Sequence, residues 1–373
     1  MRLTKAIINK SNLKKNFLNI RKKVGRAKVM AVVKADAYGQ GVNTVVKALN
    51  SLGKQKPECF AVATPDEGVE LRQLKIKQPI LIFDPVDKYQ ANIFFKFNLI
   101  PSVFTQGHLN ILVKEKRRLK SFKKILVHVK VDTGMNRLGV EYSEAVKFIK
   151  KLSFDKNFII DGIFTHFATS DEVGSDYAKL QIERFNEVLN ELKENNINFG
   201  LAHAANSGAI IDFPEAYYDM VRPGISLYGY YPSLKTSESI KLYPVMSLVS
   251  KVSTVKTIKR GESVSYSRKY FTNKETKIIS VPIGYADGFP RSLTNKAQAI
   301  IKGKVYNQVG TVTMDRIMFD VGNDNIKVND DVILIGKERK LKIDAWDWSK
   351  ITNTIPYEVI CGISKRVPRV VKD

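Results

Sequence analysis

The sequence predicts an α/β protein: a (β/α)8 barrel of the TIM type over residues 1–238, followed by a smaller all-β domain over residues 239–373. Three observations carry this. Through the first two thirds of the chain, short apolar runs alternate with longer amphipathic stretches, the pattern of parallel strands joined by helices. There are eight such runs, the number that closes a barrel. After residue 238 the rhythm changes to β-branched segments separated by Gly, Asn and Asp turns.

The eight runs are "VMAVVK" (29–34), "FAVAT" (60–64), "ILIF" (80–83), "LIPSVF" (99–104), "ILVHVKV" (125–131), "FIIDGIFTH" (158–166), "GLAHAA" (200–205) and "YYDMVRPGIS" (217–226). A strand covered on both faces reads as a continuous Val/Ala/Ile run, as these do. The clearest helix between them is "SDYAKLQIERFNEVLNELKENN", where Phe185, Val188, Leu189 and Leu192 recur at helical spacing on one stripe. In the second domain the strands fall in "VMSLVSKVSTVKTI", "TKIISVPIGY", "AQAIIKGKVYNQVGTV", "RIMFDVG" and "DDVILIG", with helix expected only around Ala345–Asn353.

Composition narrows the function classes. A chain of 373 residues suits about two domains, and an apolar fraction of 44 % is ordinary for a globular protein. No apolar run approaches the roughly 18 residues of a membrane helix. The opening "MRLTKAIINKSNLKKNF" lacks the apolar core of a signal peptide, so a cytoplasmic location is expected. Cys59 and Cys361 are far apart and make no disulfide framework. The net charge of +24 is scattered over "KSNLKKNFLNIRKKVGRAK", "KEKRRLKSFKK" and "KVSTVKTIKR" rather than gathered on one recognition element. It reads as a lysine-rich solvated surface, and no nucleic acid or membrane partner is expected. No metal-ligand spacing occurs, and no metal is expected.

In a barrel of this kind, functional residues sit where strands end. Lys34 closes the first run and Lys130 lies in the fifth, with Arg137 following in "KVDTGMNRLG". His166 ends the sixth, His203, Asn206 and Ser207 close the seventh, and Arg222, Gly224 and Ile225 close the eighth. Each alone has an ordinary structural reading: a lysine surfacing, a hydrogen-bonded histidine, the turn chemistry of "NSG" and "RPG". Their convergence on one end of a barrel does not follow from packing. Ser207 and the amides of Gly224 and Ile225 suit a phosphate, in the position where barrels often bind one. A phosphate on one side, a reactive lysine on the other and an arginine between describe pyridoxal 5'-phosphate in a Schiff base.

At this point the chain resembles a family, the alanine racemases, along essentially its whole length. The stretches are "AVVKADAYGQG", "FAVATPDEGVELR", "HVKVDTGMNRLGV", "THFATSDE", "HAANSGA", "VRPGISLYG", "VSYSRKY", "PIGYADGFPR", "VGTVTMDRIMFDV" and "IPYEVICGISKRVPR", in the family's order. The resemblance implies interconversion of L- and D-alanine by two opposed bases, supplying D-alanine for cell-wall peptidoglycan. Lys34 would carry the cofactor and be one base; Tyr266 would be the other. Tyr38, Ser207, Gly224, Ile225 and Tyr357 would hold the phosphate, with Asn206 beside them, and Arg222 would face the pyridine nitrogen. Arg137 would take the substrate carboxylate, Lys130 would be carbamylated (N6-carboxylysine) to position that arginine, and His166 would link Tyr266 to Arg222. In the family the tyrosine, together with Met314 and Asp315, reaches the site from a partner subunit, which implies a head-to-tail homodimer.

Two departures stand out. Thr313 stands where many relatives have cysteine, and Arg316 where an uncharged residue is frequent. Of the rival readings, a decarboxylase of the same architecture would pair the pyridine nitrogen with a carboxylate, which Arg222 disfavours. A single-domain cofactor carrier would lack the β domain that holds Tyr266. Serine as substrate is disfavoured by Tyr357, which crowds the side-chain position and suits a methyl group.

Overall fold

The computed structural model describes residues 2–373 and divides into two compact units. One comprises residues 13–37 and 45–243 and is the expected barrel; the other comprises residues 2–12, 38–44 and 244–373.

All eight expected barrel strands form, in order: Lys28–Val32, Cys59–Val62, Ile80–Pro85, Ile100–Val103, Ile125–Asp132, Phe158–Phe164, Leu201–His203 and Met220–Val221. Each is paired in parallel with the next through the seventh, and the eighth pairs with the first, Met220 opposite Lys28. The seam between strands seven and eight is closed by Asp219 N donating to Ala202 O at 3.0 Å and Arg222 N to Ala205 O at 2.8 Å. Strand eight is far shorter than the apolar run that announced it. Pro223 has no N–H to continue a ladder, and its carbonyl accepts Val32 N at 3.1 Å instead. The chain then turns into a 3-10 segment, Ile225–Tyr228. The strands are buried on both faces, as covered parallel strands must be, and Cys59–Val62 and Ile100–Val103 are buried throughout. The longest helix, Asp176–Glu194, is capped by Ser175 and buries Phe185, Val188, Leu189 and Leu192 as its periodicity requires.

The second unit is built on one long sheet. Its order is Thr254–Ile258, Thr276–Val281, Ile317–Gly322, Lys304–Val309, Gln298–Ile301, Asp331–Glu338, Met246–Lys251, Lys5–Asn9 and Arg369–Lys372. All neighbours are antiparallel except the last pair. Lys5–Asn9 lies in the stretch read from sequence as part of the barrel domain, yet it is a strand of this sheet, and the units part at Tyr243/Pro244 rather than 238/239. The unit also carries two helices, Ala345–Thr352, as expected, and Pro356–Gly362, which was not. Among the described residues no helix is long and apolar enough to cross a membrane.

Candidate active site

The first strand delivers Lys34 directly into a left-handed turn. Ala35, Asp36, Ala37 and Tyr38 all have φ between 52° and 55°, and Gly39 continues at 76°. L-residues pay for this conformation, so the surroundings must impose it. One restraint is visible: Glu67 Oε1 accepts Ala35 N at 2.6 Å while Oε2 accepts Ala63 N at 2.8 Å. Glu67 is the third helical residue of a capping box begun by Thr64, so a single carboxylate ties the ends of strands one and two.

Strand five presents Lys130, 6 % exposed, and its loop presents Arg137. The loop is folded by its own residues. Asp132 Oδ1 accepts the amides of Gly134 and Asn136, and a Cβ on Gly139 would lie 2.6 Å from Asp132 N. Burial, then the charges of Arg137 and Arg222, push the Lys130 amine down to about 8, with Asp132 opposing. His166 follows strand six, and burial and the cations Arg222, Lys130, Arg137 and Lys34 hold its imidazole well below the ordinary range.

Arg222 is 3 % exposed and held by four acceptors. One terminal nitrogen lies 2.7 Å from His203 Nδ1 and 2.8 Å from His203 O; the other donates to Thr165 O at 2.6 Å and Ala204 O at 2.9 Å. A guanidinium has five N–H groups, so the Nε–H remains for a ring nitrogen. Burial pushes Arg222 down to about 9. The resemblance implied that His166 links Tyr266 to Arg222; the histidine hydrogen-bonded to Arg222 is His203, and His166 feels the Arg222 charge.

Ser207 Oγ accepts the amides of Gly224 at 2.9 Å and Ser226 at 3.3 Å, and lies 3.0 Å from Ser226 Oγ. This gathers Ser207, Gly224 and Ile225, the last opening a 3-10 turn whose first amide has no acceptor within the turn. Asn206 has a structural duty: its Oδ1 accepts Gly208 N, Ala209 N and Ser170 Oγ, capping Ser207–Asp212. The donor set of this unit fits a pyridoxal phosphate: the Ile225 amide and the Ser207 hydroxyl for a phosphate, an unspent arginine N–H for a pyridine nitrogen, and a strand-end lysine for an aldehyde.

The second unit holds the remaining expected residues. Tyr38, buried, and Tyr357 lie with ring centroids 6.0 Å apart, and a Cβ on Gly39 would meet Ile360 O at 2.6 Å, so Gly39 packs directly on the helix that carries Tyr357. Burial, and the neighbouring Cys361, push the Tyr38 phenol up. Tyr266 is 71 % exposed and, with Tyr285, Arg291 and Thr311–Asp315, lines a concavity of about 720 Å³. Met314 and Asp315 share that wall. Thr313 does not turn its hydroxyl to a ligand: Oγ1 accepts Arg316 N at 3.0 Å and donates to Arg316 O at 2.9 Å, while Arg316 reaches Ser253 Oγ. Three contributors were missed in sequence: Glu67, Asp84 and His128. Asp84 follows strand three's apolar core and feels the charges of Lys34 and Lys130, though burial and Glu67 push its carboxyl up. The Thr64–Glu67 spacing was the one legible signal among them.

Comparison with known proteins places this geometry. The model of the alanine racemase N-terminal domain matches residues 8–232, and that of the alanine racemase C-terminal domain matches residues 245–371. The alanine racemase of Halothermothrix orenii is 42 % identical, covering 100 % of this chain and 97 % of its own. The structure of alanine racemase from Clostridium difficile superposes with a TM-score of 0.93 at 38 % identity, covering 99 % of this chain and 95 % of that one. A histidine racemase from Leuconostoc mesenteroides shares the fold at a TM-score of 0.91 and 27 % identity, over 100 % of this chain and 98 % of its own.

Proposed function

Because the chain belongs to the alanine racemase family, a family of amino-acid isomerases, we propose that it interconverts L- and D-alanine with pyridoxal phosphate held at Lys34. The observation that supports the cofactor most directly is Arg222, buried, with four of its five donors engaged and one remaining. Bound there, the cofactor would supply an electron sink that acidifies the substrate's Cα–H. The chain's own residues do the rest. Even pushed down to about 9, Arg222 keeps its proton at neutral pH, so the ring nitrogen beside it stays unprotonated and the sink stays moderate, which suits a reaction that must return the proton rather than lose it elsewhere. Ser207, Gly224 and Ile225 hold the phosphate, with Tyr38 and Tyr357 its further ligands. Arg137 takes the substrate carboxylate.

Lys34 and Tyr266 are the two bases, one removing the Cα proton and the other delivering one to the opposite face. The exposure of Tyr266, Met314 and Asp315 on one concave wall supports a homodimer in which this wall completes the partner's site. Lys130, an amine lowered to about 8, is suited to take up carbon dioxide, and the resulting carbamate would be an anion among Arg137, Arg222 and Lys34. His166 is kept neutral between the same cations. Tyr357 favours a methyl side chain over a larger one. A cytoplasmic setting and supply of D-alanine to peptidoglycan complete the reading.

The test is to assay purified protein with D-alanine and D-serine separately, following the L form. Alanine should be turned over at least tenfold faster. Borohydride reduction followed by peptide mapping should place the pyridoxyl label on Lys34. A label on Lys130, or turnover of serine alone, overturns the reading.

A further inference from the structure

Arg222 is a buried cation with no carboxylate in ion-pairing distance; none of the ion pairs among the described residues includes it. Buried charges are ordinarily paired. What Arg222 touches instead is the start of a chain of rings. His203 Nδ1 lies 2.7 Å from its guanidinium, His203 Nε2 lies 2.8 Å from His128 Nδ1, and His128 Nε2 lies 3.3 Å from Asp161 Oδ2.

The direction of every bond in this chain is fixed by valence. Arginine only donates, so His203 Nδ1 accepts and carries no proton. The proton of His203 is therefore on Nε2, and it donates to His128 Nδ1. That leaves His128 protonated on Nε2 alone, donating to the Asp161 carboxylate. Both rings are neutral, and both are in the same tautomer. We propose that Asp161 is the counter-ion of Arg222, its charge carried through the two imidazoles, and that His203, His128 and Asp161 are positioning residues for the arginine.

The surroundings are built for this. His128 is 2 % and His203 0 % exposed, so water does not compete for their nitrogens. Phe164 stacks on His203 at 4.9 Å with the rings 3° apart, and Arg222 lies over the same ring. Gly162 makes room for the His128 imidazole: a Cβ there would meet it at 2.6 Å. Asp161 lies three residues into strand six, with Lys28, the first residue of strand one, among its charged neighbours; its carboxyl is held below the usual range by the bond from His128. The relay therefore starts near the C-terminal ends of the strands, where Lys34 and Arg222 lie, and ends toward their N-terminal ends, where the Asp161 side chain is 41 % exposed.

The effect on turnover rests on the racemase reading above; the tautomers do not. The chain has four histidines, so nitrogen-15 spectra of selectively labelled holoprotein resolve each ring. His203 and His128 should both be protonated on Nε2 only, and Asp161→Asn should move the His203 resonances although Asp161 does not touch that ring. A proton on Nδ1 of either ring, or a His203 signal indifferent to Asp161→Asn, overturns the relay. In turnover, Asp161→Asn should lower kcat about tenfold with KM within about twofold, and Asp161→Glu should recover most of it. An unchanged kcat, or no recovery by glutamate, overturns the counter-ion role. If the wild-type protein fails to racemise alanine, the racemase reading falls, and the spectra still decide the relay.

Discussion

Thr311 Oγ1 donates to the carbonyl oxygen of Tyr266 at 2.7 Å, and Ser265 Oγ returns a bond to Thr311 O at 2.7 Å. This reciprocal pair fixes a segment that needs fixing, because Ser265, Ser267 and Arg268 all have positive φ. A Cβ on Gly310 would lie 2.6 Å from Val264 O, so the two segments are in backbone contact as well. Tyr266 is thus an exposed side chain on a tightly held main chain, the combination that the proposed base, serving a partner's site, would require.

Thr311→Val keeps the shape and removes the donor. It should cost about 1 kcal/mol of stability and lower kcat more than KM changes, because the phenol loses its fixed bearing. Urea unfolding and steady-state kinetics on the same preparation check both. A stable variant with unaltered kcat would mean that this bond does not position Tyr266.

Lys130 gives a pH prediction with a definite sign. Its amine is lowered from 10.5 to about 8 in the folded chain. Above pH 10.5 the amine is neutral folded or unfolded, and the residue costs nothing. As pH falls toward about 8 the unfolded chain takes up the proton first, stability is lost, and the loss is then constant. Lys130→Met should therefore raise the thermal midpoint in carbon-dioxide-free buffer, by more at pH 7 than at pH 10.5, while losing most activity. Equal gains at the two pH values would show that the ammonium is not what burial penalises. Under the carbamate reading, short carboxylic acids should restore part of the activity of Lys130→Ala.

The left-handed turn after Lys34 stores conformational energy, roughly 1–2 kcal/mol for each L-residue in it. Ala35 is exposed, so its methyl contributes little packing. Ala35→Gly should raise stability by about 1 kcal/mol, the relief exceeding the extra freedom glycine brings to the unfolded chain. The measurement is the urea midpoint. A lower midpoint would mean that the methyl group holds the turn rather than suffers it.

The parts of this fold that were legible in sequence are those governed by local pattern. Parallel strands such as Cys59–Val62 announce themselves because both faces are apolar, and Asp176–Glu194 because one stripe is. Lys5–Asn9 could be read as a strand, since alternate residues are buried, but not assigned to a sheet whose other members begin at residue 246. The relay was illegible for a sharper reason. His128 and His203 are 75 residues apart, and what brings them together is their pairing on either side of strand six, His128 opposite Gly162 and His203 opposite Phe164, which no spacing in the sequence encodes. The same holds for Arg222: its position at a strand end could be read, its choice of His203 over His166 could not.

The central claim is that Lys34 and Tyr266 act on opposite faces of one carbon. Tyr266→Phe keeps the ring and removes the ionisable oxygen, and because Tyr266 is exposed the fold should tolerate it. Exchange of the α-proton of D-alanine and of L-alanine in deuterated water, measured separately by NMR on this variant, separates the two duties. The account predicts that racemisation is nearly abolished, pyridoxal phosphate stays bound at Lys34, and D-alanine still exchanges at least tenfold faster than L-alanine. Equal loss of exchange from both enantiomers, or racemisation that continues unimpaired, would contradict it.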